Sequence, residues 1–195
     1  MQTSKLIILF STYFTTFIGY SQKAQDSLLQ NNINDVINEL KLMYELDQSM
    51  RNYMEYGLFN SNADSLNTLG TFSDLAKKSV WSNIIKPIDS IKTERMINLI
   101  NSYGFPSVNR LKKFSNKDLD FNPVIILVHT PFDMTKKLIP IAEKEFKKGN
   151  FRSKCEYGYL LWHLHGRSDF KYMLENGYEM ETDEKGQFVL KSTCE

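Results

Sequence analysis

The sequence has only two cysteines, no surplus of charge of one sign and no long apolar run beyond its first 21 residues. A membrane-spanning helix needs about 20 apolar residues, so no membrane span is predicted in the mature chain. The 24 basic and 23 acidic side chains nearly cancel, and bulk charge therefore does not favour nucleic acid as a partner.

Familiar catalytic and metal-binding motifs are also missing. There is no Gly-x-Ser-x-Gly elbow, no phosphate-binding glycine loop, no dinucleotide fingerprint and no His-Glu-x-x-His. The nearby pair His163 and His165 would point about 200° apart on a helix, which does not suit one metal ion. We therefore predict no cofactor and no metal.

Residues 1–21 have the three-part build of a secretory signal. One positive charge at Lys5 precedes an uncharged run from Leu6 to Tyr20, and the small-x-small triplet Gly19-Tyr20-Ser21 follows. We expect cleavage and export to the periplasm or beyond, the alternative being an uncleaved amphipathic or anchoring N-terminus. Residues 22–195 then have a length typical of one domain.

The two cysteines, Cys155 and Cys194, are a candidate disulfide in an oxidising compartment. The bond would pin the C-terminal tail and close a loop of about 40 residues. Two free thiols are the alternative, because Cys155 lies in a helical pattern and can be buried without a partner.

Apolar spacing predicts several helices. The clearest runs from 26 to 56, where most apolar residues recur at steps of three or four, namely Ile33, Ile37, Leu40, Tyr44, Met50 and Met54. Polar residues 57–70 predict a surface loop. A second helix, capped at Ser73-Asp74, is expected to stop at Pro87, and a third to span 90–103 and end at Gly104.

The second half of the chain continues this pattern. Asn122-Pro123 would begin a short helix over 124–128, although the β-branched run also suits a buried strand. Helices are predicted over 133–148 and 152–165, and alternation around a central turn predicts a hairpin over 177–190. The fold class is mainly α: a compact multi-helix domain with a short C-terminal β-hairpin.

The first long helix carries an ion pair inside its apolar stripe. Asp47 and Arg51 are four residues apart and share one helix face with Tyr44 and Met54. A charge there is costly unless it is paired and hydrogen-bonded. The pair therefore either ties the helix to its neighbours or lines a pocket.

His129 is the histidine best placed to enter a cleft. It follows the apolar run 124–128 and precedes Thr130-Pro131, and a histidine can act as acid, base or ligand near neutral pH. A capping or core hydrogen bond is the alternative for this residue and for the other two histidines.

Several of these features resemble one bacterial family in order and spacing. They are Asp47-Gln48-x-x-Arg51, Gly104-Phe105-Pro106, His129 after an apolar run, Gly149, and an aromatic-rich helix ending near His163. Over about residues 40–170 the chain resembles the domain-of-unknown-function family 6624, which typically has Trp at position 105, Gln at 128 and Asp-Arg near 162. The family has no established activity. The resemblance implies that Asp47, Gln48, Arg51, Gly104, Pro106 and His129 belong together.

These residues support three functional hypotheses. In the first, Asp47, Gln48, Arg51 and His129 line a polar cleft that binds a small or peptidic ligand, with Arg51 as the anion anchor. In the second, the protein is a hydrolase of a periplasmic or extracellular substrate with His129 as general base and Asp47 as its orienter or as an acid. In the third, the ion pair only ties helices together in a structural or interaction module.

Overall fold

The computed structural model describes residues 22–52 and 78–194. The predicted signal at 1–21, the predicted loop at 57–70 and the predicted cap at Ser73-Asp74 lie outside these residues. None of the helices in the described ranges is long and apolar enough to cross a membrane.

The described chain is mainly helical and ends in a two-stranded hairpin, which confirms the predicted fold class. The helices are α1 (22–31), α2 (Ile33–Asn52), α3 (Lys86–Tyr103), α4 (Val108–Ser115), α5 (Val124–Val128), α6 (Phe132–Lys147), α7 (Lys154–Leu164) and α8 (Lys171–Leu174). Strands β1 (Tyr178–Thr182) and β2 (Phe188–Ser192) pair antiparallel, with Tyr178 opposite Ser192.

Helix α3 does not begin where the sequence suggested. Residues 78–80 are helical, a π-helical segment follows over Trp81–Ile85, and the chain runs directly into α3. Pro87 lies in the first turn of α3, where its missing N–H leaves no hydrogen bond unmade. The predicted stop at Pro87 is therefore wrong, whereas the predicted end at Gly104 is confirmed.

The first predicted helix is divided in two. Helix α1 starts at residue 22, before the expected start at 26, and a turn at Asn32 separates it from α2. The Asn32 N–H donates to the carbonyls of Leu28 and Leu29 at 3.2 Å each. The two helices thus follow each other with one irregular residue between them.

Helix α5 is the short central element of the core. It is a helix and not the alternative strand, and the Asn122 side chain accepts a hydrogen bond of 3.1 Å from the Val124 N–H at its start. Ile126 and Leu127 are buried, and α5 packs against α2, α3 and α7. Because α5 is surrounded by these helices, its C-terminal end delivers His129 to the region between them.

The hairpin is joined to the helical body by the predicted disulfide. Cys155 in α7 and Cys194 after β2 are bonded, so the alternative of two free thiols is wrong. Both strands are largely exposed on their side chains. The bond therefore fixes the C-terminal end of an element that buries little apolar surface.

Candidate functional site

Four charged side chains from α2 and α3 form a buried charge network: Asp47, Arg51, Asp89 and Lys92. Arg51 places Nη1 3.1 Å from Asp47 Oδ1 and donates through Nη2 to Asp89 Oδ2 at 2.8 Å. Lys92 Nζ lies 2.9 Å from Asp89 Oδ1 and also donates to Asp47 Oδ1. Two carboxylates thus face two cations, which is the pairing that buried charges require.

His129 is held against this network by Asp47. The His129 Nδ1 atom lies 2.9 Å from Asp47 Oδ2 and 3.1 Å from Oδ1, and Gln48 Nε2 donates to Oδ2 at 2.8 Å. The Asp47 side chain is fully buried. Burial alone would raise the pKa of Asp47, but the hydrogen bonds and charges of His129 and Lys92 outweigh it and hold that pKa below its usual value.

The ionised carboxylate determines the tautomer of His129. An ionised Asp47 can only accept hydrogen bonds, so the facing Nδ1 of His129 carries the proton. In the neutral ring Nε2 then keeps its lone pair. No partner for Nε2 exists in the described part of the chain, and the His129 side chain is 19% exposed.

A cleft of about 760 Å³ lies beside His129. Its charged lining residues are Arg51, Lys86, Asp89 and Arg167, and its polar lining includes Gln48, Thr130 and Thr135. Two aromatic rings border it: Trp81 is half exposed, with its ring centroid 5.9 Å from the Arg51 guanidinium, and Phe132 is 76% exposed. The cleft therefore combines charge with accessible apolar surface.

His163 lines the same cleft but differs from His129. Both of its ring nitrogens are shielded from solvent and have no hydrogen-bond partner among the described residues. Burial, followed by the positive charge of Arg167 and the nearby imidazole of His129, lowers the pKa of His163 to about 4, against a smaller opposing effect of the Val128 carbonyl. His163 is thus neutral near pH 7 and cannot offer a nitrogen to a ligand in this conformation.

The structure brings together Asp47, Gln48, Arg51 and His129, the four residues predicted from the sequence to share a site. Their convergence follows from the helices: three lie within two turns of α2, and His129 directly follows α5. They contact one another, but only Gln48, Arg51 and His129 line the cleft, because the Asp47 side chain is fully buried.

Gly104 and Pro106 do not line this cleft, contrary to what the resemblance implied. They belong to the loop between α3 and α4, which is held by other side chains. Arg110 donates to the carbonyls of Phe105 and Tyr103 at 2.8 Å each, and Glu145 accepts from the Phe105 N–H at 2.7 Å. This loop is a packing feature of the fold.

Sequence reasoning missed Asp89 and Lys92, although a signal was present. In α3 and the segment before it, Ile85, Asp89, Lys92, Met96 and Leu99 recur at steps of four and three, and all are buried. Two charged residues interrupt this apolar stripe, as Asp47 and Arg51 interrupt the stripe of α2. Matching interruptions on two helices predict that the charges face each other.

Lys86 and Arg167 were also missed, and they are exposed residues without a periodic signal. For metals, the described residues contain no group of three or more His, Cys, Asp or Glu side chains arranged to hold an ion. Comparison with family profiles, with curated proteins and with solved structures gave no match to this chain. The resemblance drawn from the motifs therefore stays a prediction.

Proposed function

We propose that this protein binds a small or peptidic ligand with negative charge in the cleft beside His129. One observation carries the proposal. Among the described residues, Lys86 and Arg167 line the cleft without an ion-pair partner, whereas its acidic residue Asp89 is paired with both Arg51 and Lys92. The unneutralised charge of the described lining is thus positive, which favours an anion.

The start of α6 supports the same ligand class. Pro131, Phe132 and Thr135 line the cleft, and the N-cap residue Pro131 makes no side-chain hydrogen bond to the first turn of this helix. The N-terminal end of a helix carries a partial positive charge from its unsatisfied N–H groups. The exposed rings of Trp81 and Phe132 add apolar surface for the uncharged part of a ligand.

The roles of the site residues differ in one respect from those expected from the sequence. Both terminal nitrogens of Arg51 are engaged by Asp47 and Asp89, so in the proposal Arg51 is a secondary contact and the exposed Lys86 and Arg167 attract the anion. His129 accepts a hydrogen bond through Nε2. Gln48 and Asp47 position the imidazole.

We also propose that the protein is exported and acts in the periplasm or outside the cell. The disulfide between Cys155 and Cys194 suits an oxidising compartment. Intact-mass measurement on the protein recovered outside the cytoplasm should give a chain that begins at Gln22. A recovered chain that still begins at Met1 would contradict cleavage.

Succinate and inorganic phosphate are suitable probes of anion binding, with NMR titration as the readout. Lys86→Gln and Arg167→Gln should each weaken binding about fivefold, because an exposed charge contributes about 1 kcal/mol. Lys137→Gln is the matched control: it removes an exposed positive charge on α6 that does not line the cleft. Added salt should weaken binding to the wild type.

If neither succinate nor phosphate binds to the wild type, the proposal is contradicted. The same holds if Lys137→Gln weakens binding as much as the two cleft variants, because the effect would then come from net charge. In either case the buried charge network would remain as a tie between α2 and α3, as in a structural module.

A further inference from the structure

We infer that the cleft hydrolyses an ester or amide whose acyl part carries an anionic group, with His129 as the general base. The inference rests on the proposed anion binding and adds a reaction to it. Three features of the described residues carry it: the orientation of His129, the balance of charge behind it, and the surplus positive charge farther out.

The orientation of His129 suits a base. Asp47 accepts from Nδ1 at 2.9 Å, so in the neutral ring Nε2 has the free lone pair, and His129 lines the cleft. A buried, ionised carboxylate also stabilises the imidazolium that forms when Nε2 takes a proton. A second carboxylate partner is not needed, because Gln48 and Lys92 hold Asp47 in place.

The charges behind His129 favour an uncharged reacting group. The buried charge network contains two carboxylates and two cations, so its formal charges cancel. Little net positive charge is left there to neutralise a phosphoryl group, whereas a carbonyl carbon needs none before attack. Lys86 and Arg167, which have no ion-pair partner among the described residues, are exposed. They suit an anionic group at a distance from the reacting bond.

The proposed reaction is complete with water alone. His129 Nε2 takes a proton from a water molecule, and the water oxygen forms a bond to the carbonyl carbon of the substrate. The tetrahedral intermediate then breaks its bond to the alcohol or amine, which leaves with the proton from Nε2. The products are a carboxylic acid and an alcohol or amine, and His129 returns to its neutral form.

His163 does not take this role, although it lines the same cleft. Both of its ring nitrogens are shielded, so a substrate or water molecule cannot contact them in this conformation. Substitutions of the two cleft histidines should therefore affect hydrolysis differently, since only the loss of His129 removes the general base.

The test uses the mature chain and two matched 4-nitrophenyl esters. Mono-4-nitrophenyl succinate carries the anionic group, and 4-nitrophenyl 4-oxopentanoate replaces it with a neutral group of similar size. The wild type should hydrolyse the succinate ester with the higher kcat/KM. His129→Gln should lower kcat about 100-fold or more, measured at saturating ester concentration so that a change in ligand affinity does not enter the comparison. Arg167→Gln should raise KM for the succinate ester alone.

His165→Gln is the control for histidine-catalysed background, because His165 stacks on Tyr172 and does not line the cleft. This variant should hydrolyse both esters at the wild-type rates. Undiminished turnover by His129→Gln overturns the inference, and so does a wild type that binds succinate but hydrolyses neither ester; in that second case the proposed function stands. Equal kcat/KM for the two esters overturns the anionic substrate class. Failure to bind free succinate and phosphate is a separate result, against the proposed function.

Discussion

Lys92 is only 3% exposed, and its ammonium group lies between the carboxylates of Asp47 and Asp89. Lys92→Met keeps the aliphatic length but removes the charge. Two buried carboxylates would then share the single guanidinium of Arg51. Since an unpaired buried charge is expensive, we expect a loss of about 3–5 kcal/mol in the free energy of unfolding, measured by urea denaturation at pH 7.

The matched control is Arg95→Gln, which also removes a cation of α3 from an ion pair. Arg95 pairs with Glu39, but its side chain is 55% exposed. An exposed pair contributes at most about 1 kcal/mol. A Lys92→Met variant no less stable than Arg95→Gln would show that the buried charge network does not stabilise the fold.

His163 gives the protein a predicted sensitivity to mild acid. Burial, the charge of Arg167 and the nearby imidazole of His129 lower its pKa to about 4 in the folded state, whereas the unfolded value is 6.5. As the pH falls, the unfolded chain therefore takes up the proton at a higher pH than the folded chain does. The contribution of neutral His163 to the free energy of unfolding is fully present above pH 6.5 and is lost as the pH is lowered toward 4. The loss can reach about 3 kcal/mol.

Replacing this histidine by His163→Phe should remove that dependence and leave stability at pH 7 equal or higher, because two unpartnered nitrogens disappear. Urea unfolding at intervals from pH 4 to 7.5 checks this. His165, whose ring stacks on Tyr172 outside the cleft, should alter the slope less when it is changed to Phe. If wild type and His163→Phe lose stability in parallel over this range, the acid sensitivity comes from other groups.

The loop between α3 and α4 depends on a backbone conformation that only glycine adopts easily. Gly104 has φ +72° and ψ 168°, a region that is almost restricted to glycine. A Cβ atom there would lie 2.8 Å from Asn150 Nδ2 and 2.9 Å from Arg110 Nη1. Gly104→Ala should therefore cost about 3 kcal/mol of unfolding free energy, from strain together with displaced hydrogen bonds.

Gly149 provides the comparison for this loop. Its φ is +74°, but no other group lies within 4 Å of the place that an alanine Cβ atom would take, so Gly149→Ala should cost only about 1 kcal/mol. Urea unfolding of the two variants separates strain from crowding. Equal losses would mean that Asn150 and Arg110 move aside without penalty.

The hairpin should be the element that responds to reduction. Cys155 and Cys194 are 39 residues apart, and β1 and β2 contact chiefly each other and α8. Cys194→Ala should speed amide hydrogen exchange over residues 177–194 while leaving α2 and α5 protected. The free energy of global unfolding should fall by less than the roughly 4 kcal/mol that loop entropy predicts, since the hairpin can detach while the helices stay folded. Faster exchange throughout α5 would contradict this.

At the scale of the whole molecule, the helices with a long apolar period or a clear end signal could be predicted from the sequence. The short helices α4 and α8, which are stabilised by packing against their neighbours, could not. The stripe of α2 and the glycine at the end of α3 are local signals. Helices α4 and α8 have eight and four residues, too few for a period to be recognised. Pro87 was misread because proline ends a helix and also suits its first turn.

The same limit applies to the site. Asp47 and Arg51 stood out because charges interrupted a long apolar stripe, and His129 because it ended an apolar run. Asp89 and Lys92 interrupt the apolar stripe of α3 in the same way, but which helix they face depends on how α2 and α3 pack. Lys86 and Arg167 acquire their importance only from the position of the cleft, and such a property is not encoded in any one segment.

The π-helical segment Trp81–Ile85 has a consequence for how this cleft can change in evolution. Its wide turn, in which the Lys86 N–H bonds to the Trp81 carbonyl, holds one residue more than an α-helical turn. Loss of the single codon for Asn83 would restore a regular helix and rotate residues 78–82 by about 100° relative to α3. Trp81 would leave the cleft while Asp89 and Lys92 kept their places. One codon thus separates a cleft with an indole wall from a cleft without it.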